Sequence, residues 1–193
     1  MATANRFARE DSHSTTGSGS GWSSTRIAIT AVFCALTLAT TFLEYPIFPP
    51  APWLMYDPSG IVCMISGFAF GPATSVAVTV ISWLLHLVFK FNPWGVLMAI
   101  IAMVSFVLPA SLINRDEQSL TKAIVGMIVG AVISLGVCIV ANIIITPLYT
   151  PVDTQTVISM IVPILIPFNG LKLAINTVVS AILYVPVMRV LSR

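Results

Sequence analysis

Long apolar stretches, separated by short segments rich in proline, glycine and charged residues, run along the chain from residue 26 onward. A helix needs about 20 mainly apolar residues to cross a bilayer, whereas a transmembrane barrel alternates apolar and polar positions. The continuous stretches therefore predict an all-α polytopic membrane protein with six transmembrane helices. The predicted spans are residues 26–43, 58–71, 72–91, 93–113, 122–146 and 157–190.

Proline and glycine mark several of the boundaries. Residues 57–59 read Asp-Pro-Ser, a cap-like residue followed by a proline suited to a first helical turn. Gly71 and Pro72 predict a tight turn between the second and third spans. The last span exceeds what a bilayer requires, so Pro163 and Pro167 are expected to break or kink its outer part.

Composition supports a membrane protein and separates off the start of the chain. The sequence is 57% hydrophobic and 8% charged, whereas soluble domains carry about 25% charged residues. Residues 1–24 are rich in serine, threonine, glycine and charge, a composition that cannot bury a core. We expect a flexible cytoplasmic tail over 1–24, without a signal peptide, and a membrane domain over 25–193.

The distribution of basic residues predicts the orientation in the membrane. If the N-terminus is inside, Lys90 is the only basic residue flanking a span on the outer side, and Glu44, Asp57 and Asp153 lie on outer loops. The cytoplasmic side then holds Arg6, Arg9, Arg26, Arg115, Lys122, Arg189 and Arg193. This bias follows the positive-inside rule and predicts that both termini are cytoplasmic.

The last span contains a lysine within a polar face. At about 100° per residue, Asn169, Lys172, Asn176 and Ser180 lie within about 80° of one another. An ionisable group at membrane depth is costly and is by default a functional-site hypothesis. The alternative is a lysine that reaches the headgroups or pairs with a carbonyl. We favour a ligand-binding ammonium whose removal would not reduce stability.

The first outer loop, residues 44–56, holds four prolines and four aromatic residues. Such a segment is stiff and apolar, so we expect it to fold down as a lid over the site. An interfacial aromatic belt would account for Trp53 and Tyr56 alone.

Two helices carry stripes of small residues. In the first span Ala31, Ala35 and Ala39 recur every four residues, a pattern that allows another helix to approach closely or serves packing within the bundle. In the fifth span small residues at the same spacing occupy 126–138, and Asn142 continues the stripe toward the outer end. We expect packing over 126–138 and a polar contact at Asn142.

The third span places Trp83 and His86 on one polar side. A histidine in mid-membrane suits either a proton relay or a hydrogen bond within the bundle. Enzyme signatures are absent from the sequence: there is no phosphate-binding glycine loop and no metal-ligand spacing, and the three cysteines lie in apolar runs. We therefore predict a binding or transport subunit, with no catalytic residues, metal, cofactor or nucleic-acid partner.

Several motifs together resemble a known family. They are Asp-Pro-Ser at 57–59, Gly-Phe-Ala-Phe-Gly-Pro at 67–72, Thr-Pro-Leu-Tyr at 146–149, Ile-Pro-Phe-Asn-Gly-Leu-Lys at 166–172, and Tyr184. Their identity and order resemble the S components of energy-coupling factor (ECF) vitamin transporters, and above all the riboflavin-specific branch.

The resemblance implies a protein of the plasma membrane that binds a vitamin outside the cell. It also implies two kinds of partner, a membrane-embedded coupling subunit and two cytoplasmic ATPase subunits. Ala31 and Ala35, with Ala39 in register, match the element that docks on the coupling subunit. Asn169 and Lys172 match polar positions that face the ligand in flavin binders.

The predicted function is thus capture of a vitamin, with riboflavin as the transported ligand rather than a cofactor. The candidate ligand-binding residues are Trp53, Tyr56, Asp57, Trp83, His86, Asn142, Asn169, Lys172 and Asn176. The alternatives are an S component for another water-soluble vitamin or precursor, a self-sufficient proton-linked transporter using His86 and Lys172, and an intramembrane enzyme.

Overall fold

The computed structural model describes residues 23–51, 54–116 and 118–191. The predicted tail over 1–24 falls almost entirely outside these ranges, as does Trp53. The described residues are helical except for the loops, which hold a single isolated antiparallel pair. The helices are α1 (Ser24–Thr41), α2 (Ser59–Phe70), α3 (Pro72–Phe89), α4 (Pro93–Asn114), α5 (Leu120–Tyr149), α6 (Thr154–Met160) and α7 (Ile166–Leu191).

The six predicted spans are confirmed as helical stretches, with one refinement in the last. Among the described residues, five stretches are long and apolar enough to cross a membrane, and α2 is a shorter apolar helix. Residues 154–190 form one continuous stretch in which a π-helical segment, Ile161–Leu165, joins α6 to α7. Pro163 lies in that segment, so the helix is locally widened rather than broken.

Short polar side chains begin most of these helices. Each accepts a hydrogen bond from a backbone N–H in the first turn, where intrahelical partners are lacking. These caps are Ser23, Asn92, Ser119 and Asp153. Hydrogen bonds from the Thr156 side chain and backbone lower the pKa of the exposed Asp153 carboxyl, which therefore stays charged at the start of α6.

The short second helix explains why part of the first outer loop is buried. With 12 residues, α2 is about 18 Å long, well below the hydrocarbon thickness of about 30 Å. Its end is fixed by Gly71, whose φ of 90° favours glycine and allows the direct turn into α3. The residues before α2 therefore lie below the level of the other helix ends, and Asp57 is only 4% exposed.

The small-residue stripe of α5 packs against α4, as the sequence predicts. A Cβ on Gly130 would lie 2.3 Å from the Phe106 carbonyl oxygen, and one on Gly126 would lie 2.8 Å from the Ala110 carbonyl oxygen. One turn further, the Ser134 hydroxyl donates to the Ala102 carbonyl at 2.8 Å. Only hydrogen atoms or a small hydroxyl fit between these backbones, so α4 and α5 approach each other closely.

The stripe of α1 has the opposite environment. The face of α1 turned toward the bundle buries Thr30, Cys34, Thr37 and Thr41. Ala31, Ala35 and Ala39 are exposed on the other face. In a bundle without partners this small-residue stripe thus contacts only the surroundings, and packing within the bundle does not explain it.

Polar contacts distinguish the two ends of the bundle. At one end Arg26 at the start of α1 donates to the Phe70 carbonyl and to the Thr74 hydroxyl. At the other end Lys90 pairs with Glu44, and the Trp94 and Tyr149 rings stack with centroids 5.7 Å apart. The candidate site lies at this second end.

Candidate functional site

A cavity of about 680 Å³ opens at the end of the bundle where α1, α3 and α5 finish and where α2, α4 and the last helical stretch begin. The loop before α2 contributes Leu54 and Met55 to its wall. Pockets of this size bind whole small molecules. Six of the predicted ligand-binding residues line it, namely Asp57, Trp83, His86, Asn142, Asn169 and Lys172.

An ion pair lies in the cavity wall between the loop before α2 and helix α7. Lys172 Nζ is 3.2 Å from Asp57 Oδ2, and the two side chains are 14% and 5% exposed. The other oxygen, Asp57 Oδ1, accepts hydrogen bonds from the backbone N–H, at 3.1 Å, and from the hydroxyl of Ser59. Asp57 is therefore held by the first residue of α2, and its second oxygen is free to pair with Lys172.

This pairing corrects one expectation from the sequence. Lys172 is not an unpaired ammonium, because Asp57, in the loop before α2, forms an ion pair with it. The two charges compensate each other, because one buried charge without the other would be very costly. The pair still lines the cavity, so its outer atoms can contact a ligand.

Two asparagines form the amide part of the wall. Asn169 Nδ2 donates to the Leu165 carbonyl at 2.8 Å, and Asn142 Nδ2 donates to the Cys138 carbonyl at 2.8 Å. Each amide is thus anchored to the preceding turn of its own helix. Asn169 Oδ1 has no partner among the described residues, so it remains available as an acceptor for hydroxyl groups in the cavity.

An aromatic wall faces the cavity from the end of α3. The Trp83 and His86 rings have centroids 5.2 Å apart, and the Phe42 and His86 rings have centroids 4.9 Å apart. His86 Nδ1 lies 2.8 Å from the Thr41 hydroxyl. The indole N–H of Trp83 is buried without a partner among the described residues. This wall suits a flat ring, since aromatic side chains bind such rings by stacking and area burial.

The loop between α1 and α2 is tied down at its two ends. Tyr45 and Tyr56 exchange two backbone hydrogen bonds of 2.8 Å each, and Glu44 forms its ion pair with Lys90 of α3. Ala51 within the loop is fully buried. The predicted lid is therefore a packed segment that closes part of the cavity.

Tyr56 and Asn176 lie outside the cavity lining. The Tyr56 hydroxyl donates to Asn176 Oδ1 at 3.0 Å, and both residues are buried. This bond joins the lid to α7 one turn beyond Lys172. Tyr56 and Asn176 therefore support the cavity wall without lining the cavity. Direct ligand contact by Tyr56, Asn176 or Trp53 stays a prediction, and Trp53 is outside the described residues.

Sequence reasoning missed several residues of the wall. Phe168 is 6% exposed and lines the cavity beside Asn169. Tyr149, Met160 and Leu165 line it where α5 and the last stretch meet. The Pro-Phe-Asn segment and the Thr-Pro-Leu-Tyr segment were signals for Phe168 and Tyr149, because both segments carry the family resemblance.

The described residues show no group of three or more His, Cys, Asp or Glu side chains that could hold a metal ion. Cys34, Cys63 and Cys138 are buried free thiols. The cavity offers an ion pair, amides and aromatic rings, groups that are suited to hydrogen bonds and stacking with a ligand.

Comparison with known proteins agrees with this geometry. The sequence model of the family described as "ECF transporter, substrate-specific component" matches residues 25–184. The chain belongs to this family. As expected for a transport protein of this kind, the S component is a multi-pass membrane protein and a binding subunit rather than an enzyme.

Two relatives refine the placement of this S component. The riboflavin transporter RibU of Staphylococcus aureus (strain TCH60) is 28% identical to it over 103 residues, which are 53% of this chain and 54% of RibU. The S component thus spans about half the length of that curated relative. The solved structure of the S component of a bacterial ECF transporter matches with a TM-score of 0.75 and 27% identity, over 88% of this chain and 98% of that one.

Proposed function

We propose that this S component captures riboflavin at the outer face of the plasma membrane for an ATP-driven ECF importer. The observation that carries the proposal is the division of the cavity lining into ionic and amide groups, on Asp57, Asn142, Asn169 and Lys172, and aromatic rings, which include Trp83 and His86. Riboflavin has the same division, with a flat isoalloxazine ring and a ribityl chain of hydroxyl groups. The similarity to RibU supports the same ligand.

The ribityl chain is assigned to the wall that contains Asn142, Asn169 and Lys172. Its hydroxyls can donate to Asn169 Oδ1 and accept from Lys172 Nζ, which retains N–H donors beyond the one directed to Asp57. The ring is assigned to the aromatic wall of Trp83 and His86, where stacking and burial favour it at about 25 cal/mol per Å² of apolar surface.

Membership of the family implies a coupling subunit in the membrane and two cytoplasmic ATPase subunits. We assign the docking surface for the coupling subunit to the exposed stripe of Ala31, Ala35 and Ala39. This surface fits close helix approach because its side chains are methyl groups. Energy for import comes from the ATPases, and both termini of this chain face the cytoplasm with the basic residues.

The test is direct binding by the purified full chain. Bound flavin shows by visible absorbance, and riboflavin at a hundred times its dissociation constant should stabilise the protein by about 2.7 kcal/mol. Other water-soluble vitamins, each at the same concentration, serve as controls. A colourless protein that gains no thermal stability from riboflavin but gains it from another vitamin would overturn the riboflavin assignment and keep the S component.

A second measurement separates coupled import from self-sufficient transport. The ionisable side chains that line the cavity include Asp57, His86 and Lys172, which a proton-linked transporter would use. Liposomes containing this chain alone should take up no riboflavin when a pH gradient is imposed. Uptake under those conditions would overturn the ATP-driven proposal.

A further inference from the structure

The hydrogen bonds of His86 fix which ring nitrogen carries the hydrogen. The Thr41 hydroxyl oxygen is 2.7 Å from the Leu38 carbonyl oxygen and 2.8 Å from His86 Nδ1. A carbonyl can only accept, so the single hydroxyl hydrogen is directed to Leu38. The contact with His86 then requires Nδ1–H as the donor and the Thr41 oxygen as the acceptor.

A neutral imidazole carries one N–H, so Nε2 of His86 is a bare acceptor. Nε2 has no hydrogen-bond partner among the described residues, although His86 is only 4% exposed and lines the cavity. Lys90, directly after α3, pairs with Glu44, and no hydrogen bond joins it to this ring. The acceptor is therefore open to a ligand.

The His86 ring is also held in place. Phe42 and Trp83 pack against it, and the bond to Thr41 fixes its rotation. An oriented acceptor within an aromatic wall is suited to a flat ligand that carries a hydrogen-bond donor on its edge. The isoalloxazine ring has one such donor, the imide N–H at N3.

We propose that His86 Nε2 accepts a hydrogen bond from the imide N–H of the riboflavin ring and thereby determines specificity for flat ligands with an N–H edge. The inference rests on the proposed function and adds the orientation of riboflavin within the cavity. The imide edge is directed to α3, and the ribityl chain is directed to α7.

Methylation of the ligand tests this bond without changing the protein. 3-Methylriboflavin lacks the imide hydrogen and should bind the wild-type chain at least about tenfold more weakly than riboflavin, measured by quenching of flavin fluorescence. His86→Phe keeps a ring against Phe42 and Trp83 but removes both nitrogens. It should weaken riboflavin about tenfold and bind the two flavins with affinities within about twofold of each other.

Leu84→Ala is the matched control, because Leu84 lies on the exposed side of the same helix, away from the cavity. It should preserve the wild-type preference for riboflavin over 3-methylriboflavin. Equal binding of both flavins by the wild-type chain would overturn the role of His86 and leave riboflavin as the ligand. Failure of riboflavin itself to bind would instead overturn the proposed function, and this inference with it.

Nitrogen NMR gives a readout that does not depend on the stability of His86→Phe. The chain has two histidines, so in the His13→Gln variant every imidazole nitrogen signal comes from His86. In the free protein Nδ1 should carry the hydrogen and Nε2 should be bare. Riboflavin should shift the Nε2 resonance toward a hydrogen-bonded value, whereas 3-methylriboflavin should not. A hydrogen on Nε2 in the free protein would overturn the proposal.

Discussion

Lys172 Nζ lies 3.2 Å from Asp57 Oδ2, and the two residues are 115 positions apart in the chain. The contact connects the middle of the last helical stretch to the start of α2. Both side chains are largely buried, so each charge depends on the other for compensation. The contact therefore joins the fold of the protein to the wall of its ligand cavity.

Lys172→Met should destabilise the protein in the absence of ligand, contrary to the expectation from the sequence alone. The substitution leaves the Asp57 carboxylate buried without its partner, at a cost of about 3–5 kcal/mol. Thermal unfolding in detergent measures the effect. The double variant Asp57→Asn with Lys172→Met should recover most of the loss, since neither charge then remains.

Lys90→Met is the matched control for that experiment. It makes the same change in the ion pair between Lys90 and Glu44, in which the lysine is exposed. Exposed ion pairs contribute about 0–1 kcal/mol to stability. Equal losses for Lys90→Met and Lys172→Met would contradict the burial argument.

Asn169→Ala should weaken riboflavin binding by about three- to tenfold, the value of one neutral hydrogen bond. It should leave lumiflavin, which has the same ring but a methyl group in place of ribityl, almost unaffected. Fluorescence titration of both ligands gives the comparison. Ser105→Ala is the control, because that hydroxyl bonds only the backbone of its own helix. An equal loss for the two flavins would place Asn169 at the ring instead.

Tyr56→Phe should lower stability by about 1–3 kcal/mol, because Asn176 Oδ1 loses its donor in a buried environment. Asn176 Nδ2 already lacks a partner among the described residues, so the variant leaves both polar atoms of this buried amide without the hydrogen bonds they need. Tyr45→Phe makes the same chemical change in the same loop at a side chain that is 55% exposed. Thermal unfolding should show a loss for Tyr56→Phe only.

Gly130→Ala should destabilise the bundle, since the new Cβ would meet the Phe106 carbonyl at 2.3 Å and push α4 and α5 apart. Gly136→Ala on the same helix is the opposite case, because a Cβ there has nothing within 4 Å. It should be neutral or stabilise the protein by about 0.5–1 kcal/mol through helix propensity. A similar unfolding midpoint for both variants would contradict the close packing.

Trp substitutions at Ala31 and Ala35 should abolish co-purification with the coupling subunit while leaving riboflavin binding intact. The bulky rings prevent close helix approach on α1, and the cavity lies on other residues. Ile182→Trp adds the same bulk at an exposed position of α7 and should preserve the complex. If the variant with Trp at both Ala31 and Ala35 also lost riboflavin binding, the stripe would be needed for the structure of the bundle itself.

Local patterns were sufficient to predict the helices. The predicted span 72–91 corresponds to the helix Pro72–Phe89, and the predicted span 93–113 corresponds to Pro93–Asn114. The agreement is close because prolines and polar capping residues mark both ends of an apolar run of bilayer length. Asn169 and Lys172 line the cavity, in agreement with the rule that a polar face within an apolar helix turns toward other polar groups. Their contact with a ligand stays a prediction.

The last stretch shows the limit of that reasoning. Its two prolines predicted a break or a kink. The structure has no break there, because a π-helical segment at Ile161–Leu165 contains Pro163 and the helix continues. Periodicity describes an ideal helix and does not record how neighbouring helices accommodate a proline.

The sequence by itself determined the membrane class, the helices and the residue types available for binding, because these depend on composition and on spacings within a few turns. Only the tertiary structure decided that Asp57 pairs with Lys172 and that Tyr56 supports Asn176 from behind the wall. These partners are 115 and 120 residues apart, and short-range periodicity contains no information on which helices meet. Because α2 is short, the Asp57 carboxylate lies at the same level of the bundle as Lys172. That position depends on how the helices pack.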